Sequence, residues 1–292
     1  MSANKQIKNL VFEGGGVKGV AYIGAIEVLS EKKLLKDITG IAGNSARAIT
    51  ACLLALKYSA SEINKIVFEM DFKSFEDDKS YRRVKSEYGL YAGDTFLEWM
   101  TDLIVKKGFD ATATFSDLYQ AGCPVLKVYA TDLYTRNLQE FSLEKTPDTI
   151  VAEAVRASMS IPLFFKVWKF SNDQPNDHLF VDGGVLLNYP LNAFDKDQAE
   201  NERTLGFRTD NLSSEPVVDD FGYKDLKAYT KALFETMLVA QDVIFKENDA
   251  AMKNTVSIDD MGISATNFDL TEEDKNALIA EGRKATEVYL EG

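Results

Sequence analysis

Ile7-Lys8-Asn9-Leu10-Val11-Phe12-Glu13-Gly14-Gly15-Gly16-Val17-Lys18-Gly19 is the stretch on which the fold turns. Ile7 to Phe12 is a short β-prone run, and the three glycines after Glu13 end it abruptly. From Val20 to Glu31 the apolar residues recur at helical spacing. The unit is strand, tight turn, helix. It is repeated at once: Asp37 to Ala42 supplies a second apolar strand, Gly43-Asn44-Ser45 a turn, and Ala46 to Tyr58 a helix without an internal breaker. Alternation of this kind predicts an α/β fold with a mostly parallel central sheet covered by helices on both faces.

Further along, Ser59 with Glu62 and Thr114 with Asp117 have capping-box spacing, and Asp94 or Thr95 opens another helix. Leu126 to Leu133 and Leu138 to Leu143 read as a hairpin around Tyr134-Thr135-Arg136-Asn137. Thr149 to Ala157 returns to helix. Leu163 to Phe170 and His178 to Val181 read as strands leading to an Asp182-Gly183-Gly184 corner, with a short strand at Leu205 to Phe207. Amphipathic helices are expected from about Phe221 to Lys246 and from about Glu272 to Leu290.

At 292 residues, with 45% hydrophobic and 27% charged residues, the chain has the composition of a globular protein, and one domain over 1–292 is the expectation. Its apolar runs fall short of the ~18 residues that cross a bilayer, and Met1 to Asn9 is polar and lacks the basic-then-apolar pattern expected of a signal peptide. A cytoplasmic protein is expected, with peripheral membrane contact through Lys79, Arg82, Arg83 and Lys85, which are flanked by Phe72, Phe75, Tyr81 and Tyr88. A solvated loop is the competing reading of that cluster. The formal charge of −13 argues against a nucleic-acid partner, and two cysteines, Cys52 and Cys123, give no disulfide framework.

Three segments carry chemistry. Gly14-Gly15-Gly16-Val17-Lys18-Gly19 places backbone amides at a helix start, where an anion belongs. Its spacing also satisfies G-x-G-x-x-G, but a dinucleotide site wants an acidic residue closing the next strand, and that strand ends in Gly43-Asn44-Ser45. Ser45 sits between strand and helix, either as an elbow nucleophile or as an ordinary helix cap. Asp182-Gly183-Gly184 reads either as a desolvated carboxylate with space beside it or as a common turn. The single histidine, His178, is four residues from Asp182 and is read as an exposed hairpin residue. Neither a Ser-His-Asp triad nor a zinc site is therefore expected, and the remaining pair is serine plus aspartate.

In this order and context the three segments resemble the patatin-like phospholipases. Ala130-Thr131-Asp132-Leu133 and Val155-Arg156-Ala157-Ser158-Met159-Ser160-Ile161-Pro162 extend the likeness to roughly residues 7 to 290. The resemblance implies a patatin-type three-layer α/β sandwich and a Ser-Asp dyad that cleaves fatty acyl esters of phospholipids or related lipids, with no metal or other cofactor. It makes Ser45 the nucleophile and Asp182 the base. It makes Gly14, Gly15 and Gly16 the oxyanion hole, with Lys18 at the loop's usual basic position and Gly19 closing it. Gly43, Gly183 and Gly184 complete the elbow and dyad motifs. The departure is Arg47, where the elbow pattern G-x-S-x-G has glycine. Two courses are open to its side chain: outward to solvent, or toward Asp182, where an ion pair would lower the aspartate's pKa. The second course favours a catalytically impaired patatin-fold protein that binds lipid or a partner.

Overall fold

The computed structural model describes residues 6–195, 203–211, 225–246, 248–265 and 267–292. Strands in chain order are β1 (Asn9–Phe12), β2 (Gly40–Asn44), β3 (Gly89–Tyr91), β4 (Val125–Asp132), β5 (Asn137–Ser142), β6 (Leu163–Phe165), β7 (Phe180–Asp182), β8 (Thr204–Asp210) and β9 (Thr255–Asp259). The α-helices are α1 (Ala21–Glu31), α2 (Arg47–Ala55), α3 (Ala60–Phe68), α4 (Arg83–Ser86), α5 (Asp94–Lys106), α6 (Phe115–Gln120), α7 (Val151–Ser158), α8 (Leu226–Lys246), α9 (Asp249–Lys253) and α10 (Glu272–Glu291).

The main sheet runs β5-β4-β2-β1-β8-β9, with β7 also on β4. The pairs β4/β2, β2/β1, β1/β8 and β8/β9 are parallel, whereas β5 and β7 lie antiparallel to β4. All four residues of β1 and all five of β2 are buried, as expected for strands covered on both faces. Helix α2 is buried over all nine of its residues, and its alanines at 48, 51 and 55 let it sit close to the sheet. The fold is thus a mostly parallel sheet flanked by helices.

One register detail positions the site. The β2/β4 ladder ends at Asn44 opposite Tyr129, and the β7/β4 ladder takes over at the next residue, with Asp182 opposite Ala130. The edge of β4 therefore carries the end of β2 and the end of β7 side by side.

The capping boxes at Ser59/Glu62 and Thr114/Asp117 both form, and the helix at Asp94 begins where expected. The expected strand Leu163 to Phe170 is shorter: only Leu163 to Phe165 is strand, and it pairs with β3 in a separate two-stranded sheet. Beyond it, Trp168 keeps a single antiparallel bridge to Phe180. The long helix begins at Leu226, and its expected first residues, Phe221 to Lys224, lie outside the described ones. Of the basic patch, Phe72 and Phe75 belong to the core, Arg83 is tied to Asp78 and Glu87, and Lys79 lies over the Tyr81 ring. Tyr81 and Tyr88 stay exposed, so the cluster is a surface loop that is only partly neutralised. Among the described residues no helix is long and apolar enough to cross a membrane.

Candidate active site

Ser45 lies in the turn between β2 and α2 with φ of +53°. A non-glycine residue in this left-handed region costs about 1–3 kcal/mol, and the turn holds it there by bonding its amide. Ser45 N donates to Asn44 Oδ1 at 2.8 Å and to Ser158 Oγ at 2.9 Å. The Asn44 side-chain amide donates in turn to the carbonyl of Leu187, beyond the aspartate corner. Asn44 and Ser158 thus join the serine turn, α7 and the aspartate corner, and the sequence reading assigned a role to neither.

Ser45 Oγ donates to Asp182 Oδ2 at 2.6 Å. The other carboxylate oxygen of Asp182 accepts Gly184 N at 2.7 Å. The aspartate's own backbone is fixed by Asp182 N to Ser160 O (2.8 Å) and by Thr131 Oγ1 to Asp182 O (3.0 Å). Arg156 steadies Ser160: its buried guanidinium donates to Ser160 Oγ at 2.7 Å and to the carbonyls of Ala92 and Gly93. Asp182 is fully buried, and loss of solvation raises its carboxyl to about 7, against the lowering effects of the Ser45 and Gly184 hydrogen bonds.

The glycine loop lies against this pair. A methyl group at Gly14 would come within 3.2 Å of Ser45 Cβ and 2.2 Å of Asn188 Oδ1, so only glycine fits beside the serine. The Gly14 amide is not free: it donates to Asn188 O at 2.9 Å, and Asn188 Nδ2 returns a bond to Gly14 O. Among the described residues the amides of Gly15 and Gly16 donate to no acceptor. Of the three loop amides read as donors, these two are therefore the ones without an acceptor there. Lys18 turns away from the serine and pairs with Asp260 at 2.6 Å.

Arg47 takes neither course foreseen for it. Its side chain is 2% exposed and folds beneath the glycine loop, where Nη1 donates to Gly16 O at 2.5 Å and the guanidinium lies 4.8 Å from the Tyr22 ring centre. A methyl group at Gly19 would lie 1.9 Å from Nη1, so the absent side chain at 19 is the space that Arg47 occupies. Its charge is not among the influences on Asp182. Burial lowers the guanidinium's pKa, and Nε and Nη2 have no hydrogen-bond partner among the described residues.

Helix α8 closes the other side. Gln241 accepts from Asn188 N at 2.6 Å and donates to Gly184 O at 2.7 Å, while Leu238 packs against Gly184. A cleft of about 430 Å³ runs between α8 and the glycine loop, bordered by Gly14, Gly15, Asn188, Leu238, Val239 and Ala265. Ser45 and Asp182 do not line it, although Gly14, which packs against Ser45, does. His178 is half-buried rather than exposed, bonded through Nδ1 to Asp132 Oδ2 at 2.8 Å and stacked on Tyr134, so it belongs to the hairpin and not to the dyad.

The fold and its relatives place the chain in the class of α/β lipid hydrolases. The chain belongs to the patatin-like phospholipase family, whose profile matches residues 10–195. It is 34% identical to "Uncharacterized protein YqhO" of Bacillus subtilis over 96% of this chain and 97% of that one. It is 27% identical to "Probable lipid hydrolase 463L" of Invertebrate iridescent virus 6 over 64% of this chain and 63% of that one. Among solved structures, VipD from Legionella pneumophila superposes with a TM-score of 0.72 at 18% identity, covering 98% of this chain and 67% of VipD. ExoU in its complex with SpcU from Pseudomonas aeruginosa gives 0.61 at 21% identity, and this chain spans 52% of that one. At these identities the two structures establish a shared fold.

Proposed function

We propose that this lipid hydrolase cleaves fatty acyl esters of phospholipids through Ser45 and Asp182, without metal or other cofactor. The observation that carries the reading is the 2.6 Å bond from Ser45 Oγ to a carboxylate held near neutrality. Ser45 Oγ attacks the ester carbonyl as its proton passes to Asp182 Oδ2. The carbonyl oxygen, now negative, is received by the amides of Gly15, Gly16 and Ala46. Collapse breaks the ester C–O bond, and the departing alcohol takes the proton from Asp182. Water then attacks the acyl-Ser45 carbonyl, gives a proton to Asp182 and frees the fatty acid, and Asp182 returns that proton to Ser45. A base with a pKa of about 7 suits both transfers at neutral pH. Pre-aimed amides are elsewhere worth about 10²–10³ in rate per donor.

The alternative of an impaired lipid-binding protein drew on an Arg47–Asp182 contact. Arg47 lies on the Gly16 carbonyl instead, which supports the catalytic reading. Fatty acid release from phosphatidylcholine, and from a soluble short-chain ester, tests it. Ser45→Ala should abolish both, and release undiminished in that variant would overturn the reading.

A further inference from the structure

Helix α8 is amphipathic in an unusual sense. Most of its charged residues face the protein: Lys227 pairs with Glu76 at 2.6 Å, Asp242 with Arg208 at 3.3 Å, and Glu235 accepts from Ser264 at 2.5 Å, while the half-exposed Lys246 pairs with Asp210 at 2.8 Å. Its outward face is apolar. Tyr229, Leu233, Val239, Val243 and Ile244 are exposed by 44 to 72%, and the exposed Thr236 and Ala240 between them carry no charge. These positions fall on one side of a helix at 100° per residue. The inward residues Leu238 and Gln241 of the same helix cover the turn after Asp182. That turn contributes two more exposed leucines, Leu186 and Leu187. Uncharged, largely apolar surface is therefore exposed both on this helix and on the turn after Asp182 that it covers, on a chain whose net charge is −13.

We infer that the outward face of α8, with Leu186 and Leu187, docks on a neutral, zwitterionic lipid surface and so presents the dyad to the layer that holds its substrate. The inference rests on the acyl-hydrolase reading of Ser45 and Asp182. A strip this apolar loses hydration on reaching the headgroup-acyl boundary, which drives interfacial attachment in proportion to the area buried. Charge selects the membrane. Anionic lipid repels an acidic chain, and the one exposed lysine at the edge of this face, Lys246, is already paired with Asp210, whereas a zwitterionic surface imposes no such cost. Attachment is therefore insensitive to salt, and it does not depend on Lys79, Arg82, Arg83 or Lys85.

The experiment is flotation of the full chain with phosphatidylcholine vesicles, comparing wild type with Leu233→Glu/Ile244→Glu. Neither residue borders the cleft or touches the dyad. Wild type should float with the vesicles equally at low and high salt, and no better when phosphatidylglycerol is added. The double variant should bind at least tenfold more weakly, with unchanged thermal melting and unchanged hydrolysis of the soluble ester. Ile244→Lys should also bind more weakly, because an ammonium is excluded from the apolar boundary as a carboxylate is. Absence of wild-type flotation, equal binding by the variants, or tighter salt-sensitive binding to phosphatidylglycerol overturns the inference. So does sedimentation showing that the strip is covered by a second copy of the chain. If the soluble ester is cleaved through Ser45 but vesicles are not bound, docking fails and the hydrolase stands. If vesicles are bound through α8 but no ester is cleaved, the reverse holds.

Discussion

Replacing Arg47 with the glycine that the elbow pattern calls for should weaken this protein, not repair it. The side chain contributes a charge-assisted hydrogen bond to Gly16 O, worth roughly 1.5–3 kcal/mol. Its buried contact with Tyr22 adds about 2 kcal/mol. Against this stands the cost of burying a guanidinium with two unpaired nitrogens, which is several kcal/mol. The two nearly cancel, so Arg47→Gly should lower stability by only about 1–2 kcal/mol, a melting shift of a few degrees. Activity suffers more, because the freed carbonyl belongs to Gly16, whose amide is one of two unengaged donors in the loop. A kcat loss of about tenfold to a hundredfold is expected, below the cost of deleting a donor outright, with KM for a soluble ester nearly unchanged. Gly19→Ala supplies a second measure: it should destabilise wild type by about 1–3 kcal/mol through overpacking against the guanidinium, yet be nearly neutral beside Arg47→Gly. Wild-type or higher turnover in Arg47→Gly, or additive effects in the double variant, would refute this account of the loop.

Other expectations concern the base and its cover. Since Asp182 accepts a proton only when ionised, log kcat/KM should rise with unit slope below pH 7 and level off above it, and a profile flat from pH 5 to 9 would contradict this. The folded-state pKa of about 7 exceeds the ordinary 3.8, so this group's stabilisation is full below pH 3.8 and lost as pH rises through 7. The loss amounts to at most about 4 kcal/mol. Asp182→Asn should therefore lose less stability than wild type between pH 5 and 8 in denaturant titrations, the buried Glu13 contributing equally to both. Gln241→Leu removes both bonds to the dyad turn, and hydrogen exchange at Gly184 to Asn188 should accelerate about tenfold.

What could be read from the sequence was what neighbouring residues decide. Ser59 with Glu62 and Thr114 with Asp117 are complete local devices, and each opens its helix as expected. The β1-loop-α1 and β2-turn-α2 units are likewise local. Strands β3 and β9 were missed: β3 has three residues and pairs with β6, more than seventy positions away, and β9 gains its partner only by lying beside β8. The meeting of Ser45 with Asp182 depends on β4, whose edge passes from β2 to β7 between Tyr129 and Ala130. No spacing in the chain encodes that exchange. Arg47 was misjudged because its place is created by a missing side chain on another loop, at Gly19. The outward apolar strip of α8 was hidden because the helix has apolar residues on more than one side, and Phe234 and Leu238 are the ones buried.

The most direct test is to treat the protein with a fluorophosphonate at pH 8 and locate the adduct by peptide mass spectrometry, in wild type and in Asp182→Asn. The modification should fall on Ser45 alone, and its rate should drop by at least a hundredfold when the carboxylate becomes an amide. Labelling at another serine, or labelling of Ser45 that ignores the loss of Asp182, would contradict the proposed pairing of hydroxyl and carboxylate.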